Sequence, residues 1–230
     1  MQRKRKLPLI CFANAWLLIS SVGYGQPIGN DIHIQDRDGV VHAVALRGNV
    51  LRPEVLEYLE SVKSPFSLDL TFCSFSSDDL NSLWKVVNVE SLYLADQSEN
   101  TSVILDRGFL GISKWTRLRK LFAPCGGLTG DTLLLIGKIE SLEEINLSNS
   151  EISSDSLKHI QDLKSLSSLA LERSNVDDGA VEILLSFKSL KYLNVSRTKI
   201  SPNGIERLRS ELPESCIFIF SSEIKKKTEK

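Results

Sequence analysis

The hydrophobic positions of this chain recur. Residues 142–160, LEEINLSNSEISSDSLKHI, superpose on 166–184, LSSLALERSNVDDGAVEIL, and on 190–208, LKYLNVSRTKISPNGIERL. Aliphatic residues fill the same slots each time, and the starts lie 24 residues apart. Taking the last apolar residue of each L-x-x-L-x-L phrase as an anchor gives Leu46, Leu70, Leu94, Ala123, Leu147, Leu171, Val195 and Ile219. Their spacings are 24, 24, 29, 24, 24, 24 and 24.

The period changes inside each unit. Around the anchor, apolar residues alternate with polar ones, the pattern of a short strand; two before it come Val44, Leu68, Leu92, Leu121, Ile145, Leu169, Leu193 and Ile217. Ten and thirteen after it lie pairs such as Leu133 and Ile136, or Leu157 and Ile160, which share one face of a helical turn. Between strand and helix, Ser76, Thr129, Ser153, Asp177 and Ser201 occupy the slot expected of an N-cap, and Pro53 and Pro202 follow in the first helical position. Each unit therefore predicts a strand, a turn and a short helix. A lone unit must order about 24 residues at roughly 1–2 kcal/mol each. Its few apolar side chains return at most about 1.5–3 kcal/mol each when fully buried. Only stacking closes that gap, by burying both faces of every unit and pairing the strands into one parallel sheet.

These residues resemble the leucine-rich repeat family, L-x-x-L-x-L-x-x-N/C/S/T-x-L, over residues 41 to about 220. Three after the anchor stand Asn49, Cys73, Gln97, Gly126, Ser150, Ser174 and Thr198; Gln97 and Gly126 depart from the small polar residues that the family uses there. The opening DRDGVVHAVALRGN and the ending ISPNGIERLRSELPESCIF look like bacterial members, notably those of planctomycetes. The resemblance implies an α/β solenoid, a horseshoe arc with the parallel sheet on its concave face and short helices on the convex face. It has seven repeats of about 24 residues plus a terminal strand. It also implies a binding scaffold, without naming what is bound.

The ends carry their own signals. Residues 26–45 hold two apolar runs around Asp38-Gly39 and read as a capping hairpin leading into the first repeat. Residues 1–25 contain Arg3, Lys4, Arg5 and Lys6, an apolar stretch from Leu7 to Val22, then small residues, with Gly23 and Gly25 placed for cleavage before Gln26. That layout is an export signal; the alternative is an uncleaved anchor tethering the chain to a membrane through residues 7–22. Export places the protein in the periplasm, the cell envelope or outside the cell. Residues 221–230 form a basic tail. Over all 230 residues the net charge is −1, but the N-terminal basic cluster masks a body of net −5. No clustered positive charge invites nucleic acid. Beyond Cys11, the cysteines Cys73, Cys125 and Cys216 have no disulfide spacing and are expected as free thiols.

Candidate contacts come from strand positions facing away from the core. Before each anchor stand Ala45, Asp69, Tyr93, Phe122, Asn146, Ala170, Asn194 and Phe218. After each stand Arg47, Thr71, Ala95, Pro124, Ser148, Glu172, Ser196 and Phe220. Tyr93 and Phe122 fall on neighbouring units and make an aromatic anchor for a partner. Tyr192, Asp69, Glu172, Asn146 and Asn194 complete the partner-binding set. The third unit is five residues longer, within 95–103, a second place for contacts. His33 and His42 face each other across the predicted hairpin, too few ligands for zinc, and His159 lies on an outer helix. CGGLTGDT, residues 125–132, lacks the lysine of a phosphate loop. Nothing in the residues calls for a cofactor, a metal or a catalytic group. The expectation is a non-enzymatic, exported module that binds a protein on its concave face. The alternatives are an intracellular adaptor with an unprocessed N-terminus and a binder of cell-envelope polymer.

Overall fold

The computed structural model describes residues 32–35, 39–49, 52–74, 76–94 and 106–221. The export segment, Asp38, Leu51, Phe75, Ile104, the long loop at 95–103 and the tail beyond 221 lie outside the described residues. One nine-stranded sheet runs through the molecule in strand order identical to chain order. β1 (Ile32–Gln35) pairs antiparallel with β2 (Val41–Asn49), and Gly39 between them takes φ +75°, a left-handed conformation that glycine enters without a Cβ penalty. From β2 onward all pairing is parallel, through β3 (Phe66–Ser74), β4 (Val89–Tyr93), β5 (Lys120–Phe122), β6 (Glu144–Asn146), β7 (Ser168–Ala170), β8 (Tyr192–Asn194) and β9 (Ile217–Ile219). This is the leucine-rich repeat solenoid.

The return segments are α1 (Pro53–Ser61), α2 (Ser77–Ser82), α3 (Gly130–Ile136), α4 (Val181–Ser186) and α5 (Pro202–Glu211). Their starts follow the local chemistry. Pro53 and Pro202 open α1 and α5. Ser76 and Asp79 form a reciprocal capping box. Thr129, Asp177 and Ser201 accept hydrogen bonds from the amides of Asp131, Gly179 and Gly204. Ser153 does not cap in this way, and its repeat returns through a 3₁₀ turn, Ser154–His159. The third repeat also returns through 3₁₀ turns, Asp106–Phe109 and Ile112–Lys114. Trp84, Phe109 and Trp115 fill the space there; Trp84 and Trp115 meet edge to face at 4.7 Å.

The core is the stack of repeated slots. Val44, Leu68, Leu92, Leu121, Ile145, Leu169 and Leu193 are fully buried, as are Leu59, Leu83, Ile112, Ile136, Ile160, Leu184 and Leu208 behind them. After β6, β7 and β8 the chain turns through Asn149, Arg173 and Arg197, with φ of 60°, 56° and 57°. Each of these amides donates to a carbonyl of the following unit, Glu172, Ser196 and Ser221. The hydroxyls of Ser174 and Thr198 donate to the carbonyls of Leu171 and Val195, which closes the turn from inside.

The last strand corrects the 24-residue spacing. In β9 Leu193 is level with Phe218 and Asn194 with Ile219, so this strand runs one residue off the 24-residue spacing. A one-residue slip exchanges the faces of a strand. Phe218, expected outward, packs against the core, whereas Ile217 and Ile219, expected inward, are 46% and 38% exposed. The physical reason is the return path: α5 continues for ten residues to Glu211, and a turn through Pro213 delivers Cys216 one position late.

Candidate functional site

The open face of the sheet is built by residues alternating with the core slots. Tyr93 on β4 and Phe122 on β5 are paired in register, and their rings stack with centroids 4.8 Å apart and planes 16° from parallel. Both are half-buried. They stand on edge from the sheet, each giving one face to the other. Burial raises the Tyr93 phenol above its usual pKa, against the opposing charge of Lys120 and a hydrogen bond with Ser91.

Lys120 points to the same side two residues before Phe122, and its Nζ lies 2.7 Å from Glu144 Oε1 on the next strand. Partial burial disfavours the Lys120 charge, yet the Glu144 carboxylate more than compensates and holds its pKa above the ordinary value. One residue earlier, Arg119 makes two 2.8 Å hydrogen bonds to Glu143 and one of 3.0 Å to Glu90. Two tiers of ion pairs thus tie β5 to its neighbours beside the aromatic pair.

The other candidate residues divide. Asp69, Asn146 and Asn194 lie on the open face, but each turns a side-chain oxygen onto its own strand. Asp69 Oδ1 accepts from the Thr71 amide at 2.9 Å and hydroxyl at 2.7 Å. Asn146 Oδ1 accepts from the Ser148 amide at 3.0 Å, and Asn194 Oδ1 from the Ser196 amide at 2.9 Å. The Ser148 and Ser196 amides lie beyond their strands and Thr71 lies at the register irregularity of β3, so these side chains play a local backbone role. Glu172 accepts from Asn194 Nδ2 at 3.3 Å. Tyr192, half-buried on β8, is separated from the aromatic pair by β6 and β7 and is not brought to it. His33 is level with Val44, while His42 falls at an irregularity between β1 and β2, so the two histidines are not opposite each other as expected. His159 is half-buried at the end of its 3₁₀ turn. Among the described residues, Cys73, Cys125 and Cys216 take part in no disulfide.

Sequence reasoning missed Lys120 and Glu144. It took the third position before the anchor only at Tyr192 and passed over the same outward slot at Lys120 and Glu144. The signal was available as opposite charges at one slot of consecutive repeats, 24 residues apart.

Compared by sequence, the chain matches no family model and no curated protein. Compared by structure, it resembles two leucine-rich repeat proteins of Listeria monocytogenes. Internalin C2 aligns at 18% identity and TM-score 0.54, over 81% of this chain and 76% of its own. A second internalin, inlF, aligns at 18% identity and TM-score 0.50, over 68% of this chain. The match spans only 41% of that second protein's length. At this identity the likeness establishes the fold alone.

Proposed function

We propose that the chain is a non-enzymatic protein-binding module, an exported leucine-rich repeat scaffold whose concave face holds a protein partner. The observation that carries this reading is the Tyr93–Phe122 stack on adjacent strands of the open sheet face. Aromatic side chains ringed by polar groups are favoured anchors in protein interfaces. Their mutual stacking and the flanking ion pairs hold them in place before a partner arrives, which lowers the ordering cost of binding. A polymer of sugars is a weaker fit, because one face of each ring is spent on the other ring and stacking on a sugar needs an open face. Export rests on the basic, apolar and small-residue layout of residues 1–25.

The test is crosslinking capture from the source organism's cell envelope with the full chain, alongside a folded Tyr93→Ala/Phe122→Ala variant. We expect a partner whose affinity falls at least about 30-fold in the variant, the loss of one hot spot of about 2 kcal/mol or more. A partner held equally by both chains overturns the concave-face reading. N-terminal sequencing separates export from an intracellular adaptor: a mature start near Gln26 supports the first, and an intact Met1 in a soluble fraction supports the second.

A further inference from the structure

Beside the aromatic stack, the open face drops to a notch. Asp69 lies level with Ala45 on one side and Tyr93 on the other, with Ser67 and Thr71 before and after it on its own strand. Ser91 stands next to Ser67. Apart from Tyr93, the residues level with Asp69 and those two positions away on its own strand are therefore small. Phe122 covers the inner face of the Tyr93 ring, so the outer face borders this notch. The Asp69 carboxylate is half used: Oδ1 is occupied by the Thr71 amide and hydroxyl, and among the described residues Oδ2 takes no hydrogen bond and no ion pair. Lys120, two strands away on β5, is committed to Glu144, and the side chain of Arg47 on the adjoining β2 lies outside the described residues. A carboxylate with one unused oxygen, next to an open aromatic face and flanked by Ala45, Ser67 and Thr71, has the shape and charge for a planar cation.

We infer that this notch is a subsite for an arginine side chain of the bound protein, the guanidinium lying on the outer face of Tyr93 and donating to Asp69 Oδ2. The inference rests on the protein-binding reading above and names one side chain of the partner. Guanidinium suits the place better than ammonium, because it is planar, weakly hydrated and can stack and donate at once. The acidic body of the chain, net −5 without its N-terminal segment, attracts such a group from a distance.

The probe is acetyl-arginine-amide, titrated at low salt into the full chain and followed by NMR at the Tyr93 ring and the Thr71 amide. Acetyl-citrulline-amide, of nearly the same shape but uncharged, is the control. We expect the arginine probe to shift both signals and the citrulline probe to bind at least about 3-fold more weakly. Asp69→Asn keeps an oxygen for the Thr71 hydrogen bonds while removing the charge, so it tests charge without unfolding the turn. It should weaken the arginine probe about 3-fold to 5-fold, as should Tyr93→Leu, while Tyr93→Phe stays within about 2-fold. Equal binding of the two probes, or undiminished arginine binding by Asp69→Asn, overturns the subsite. Failure here together with successful capture by the Tyr93–Phe122 face removes the arginine subsite alone. Arginine binding with no captured partner instead removes the protein-binding reading.

Discussion

Replacing Gly137 with alanine should separate two repeats. Gly137 ends α3 with φ −60° and ψ −11°, a backbone that any residue adopts, so conformational freedom is not its purpose. Its purpose is contact: an added Cβ would penetrate the His159 carbonyl oxygen of the next unit and lie 2.9 Å from that carbonyl carbon and 3.1 Å from the Leu133 oxygen. All three obstacles are backbone atoms, so no side-chain rotation relieves them. The units holding Leu133 and Ile136, and Leu157 and Ile160, must move apart, opening a fully buried seam. Overpacking of a close-packed core costs about 1–3 kcal/mol, and a backbone-on-backbone clash belongs at or above the upper end. We expect a loss of about 3 kcal/mol, or about 6–12 °C in Tm. Gly126→Ala is the matched control, in the same repeat, with its nearest obstacle at 3.6 Å. It should stay within about 0.5 kcal/mol of the parent. Urea denaturation of the three proteins measures both changes. A Gly137→Ala protein no less stable than the Gly126→Ala protein would show that the repeats do not approach as described.

Three further outcomes follow from the same structure. Arg173→Gly removes a side chain from φ +56°, where a Cβ costs about 1–2 kcal/mol against about 0.5–1 kcal/mol of glycine entropy, so urea unfolding should show a gain of about 0.5–1 kcal/mol; destabilisation would contradict the turn geometry. Phe218→Ala should cost about 2 kcal/mol and Ile219→Ser less than about 0.5 kcal/mol in the same assay, and the reverse order would restore the 24-residue spacing at the last strand. Hydrogen bonds from the Ser154 hydroxyl and the Gly179 amide hold the Asp177 carboxyl below its usual pKa of 3.8. A depressed folded pKa contributes stability above pH 4 that is lost as pH falls through the folded value. The urea midpoints of the parent and Asp177→Asn should therefore differ at pH 6 and converge in acid, and a constant gap would assign the loss to something other than the charge.

Much of the fold was written in single repeats. Leu169 and Leu193 are buried because an alternating strand offers them one face, and Ser76 and Ser201 start helices through amides three residues away. Such effects act within a few residues, so a linear pattern reports them. The period then dictates stacking, since no unit can bury its own apolar face. On the open face, the neighbouring positions of Tyr93 and Phe122 were legible in the same way.

What the period could not report depends on groups brought together from different units. Whether β9 presents Phe218 or Ile219 to the core turns on how far α5 runs before the chain comes back, and one residue reverses the faces. That Asp69, Asn146 and Asn194 bend onto the amides two residues ahead depends on where each strand ends or loses register with its neighbour. Asp106 joins the third and fourth units by accepting from the amides of Thr129 and Thr132, a link with no mark in either repeat alone. The Lys120–Glu144 pair and the open oxygen of Asp69 beside Tyr93 are likewise products of lateral register. By itself the sequence determined the repeating unit, because strand alternation and helix capping are local. The tertiary structure decided which side chains satisfy one another and which remain available, because the partners lie a whole turn of the solenoid away.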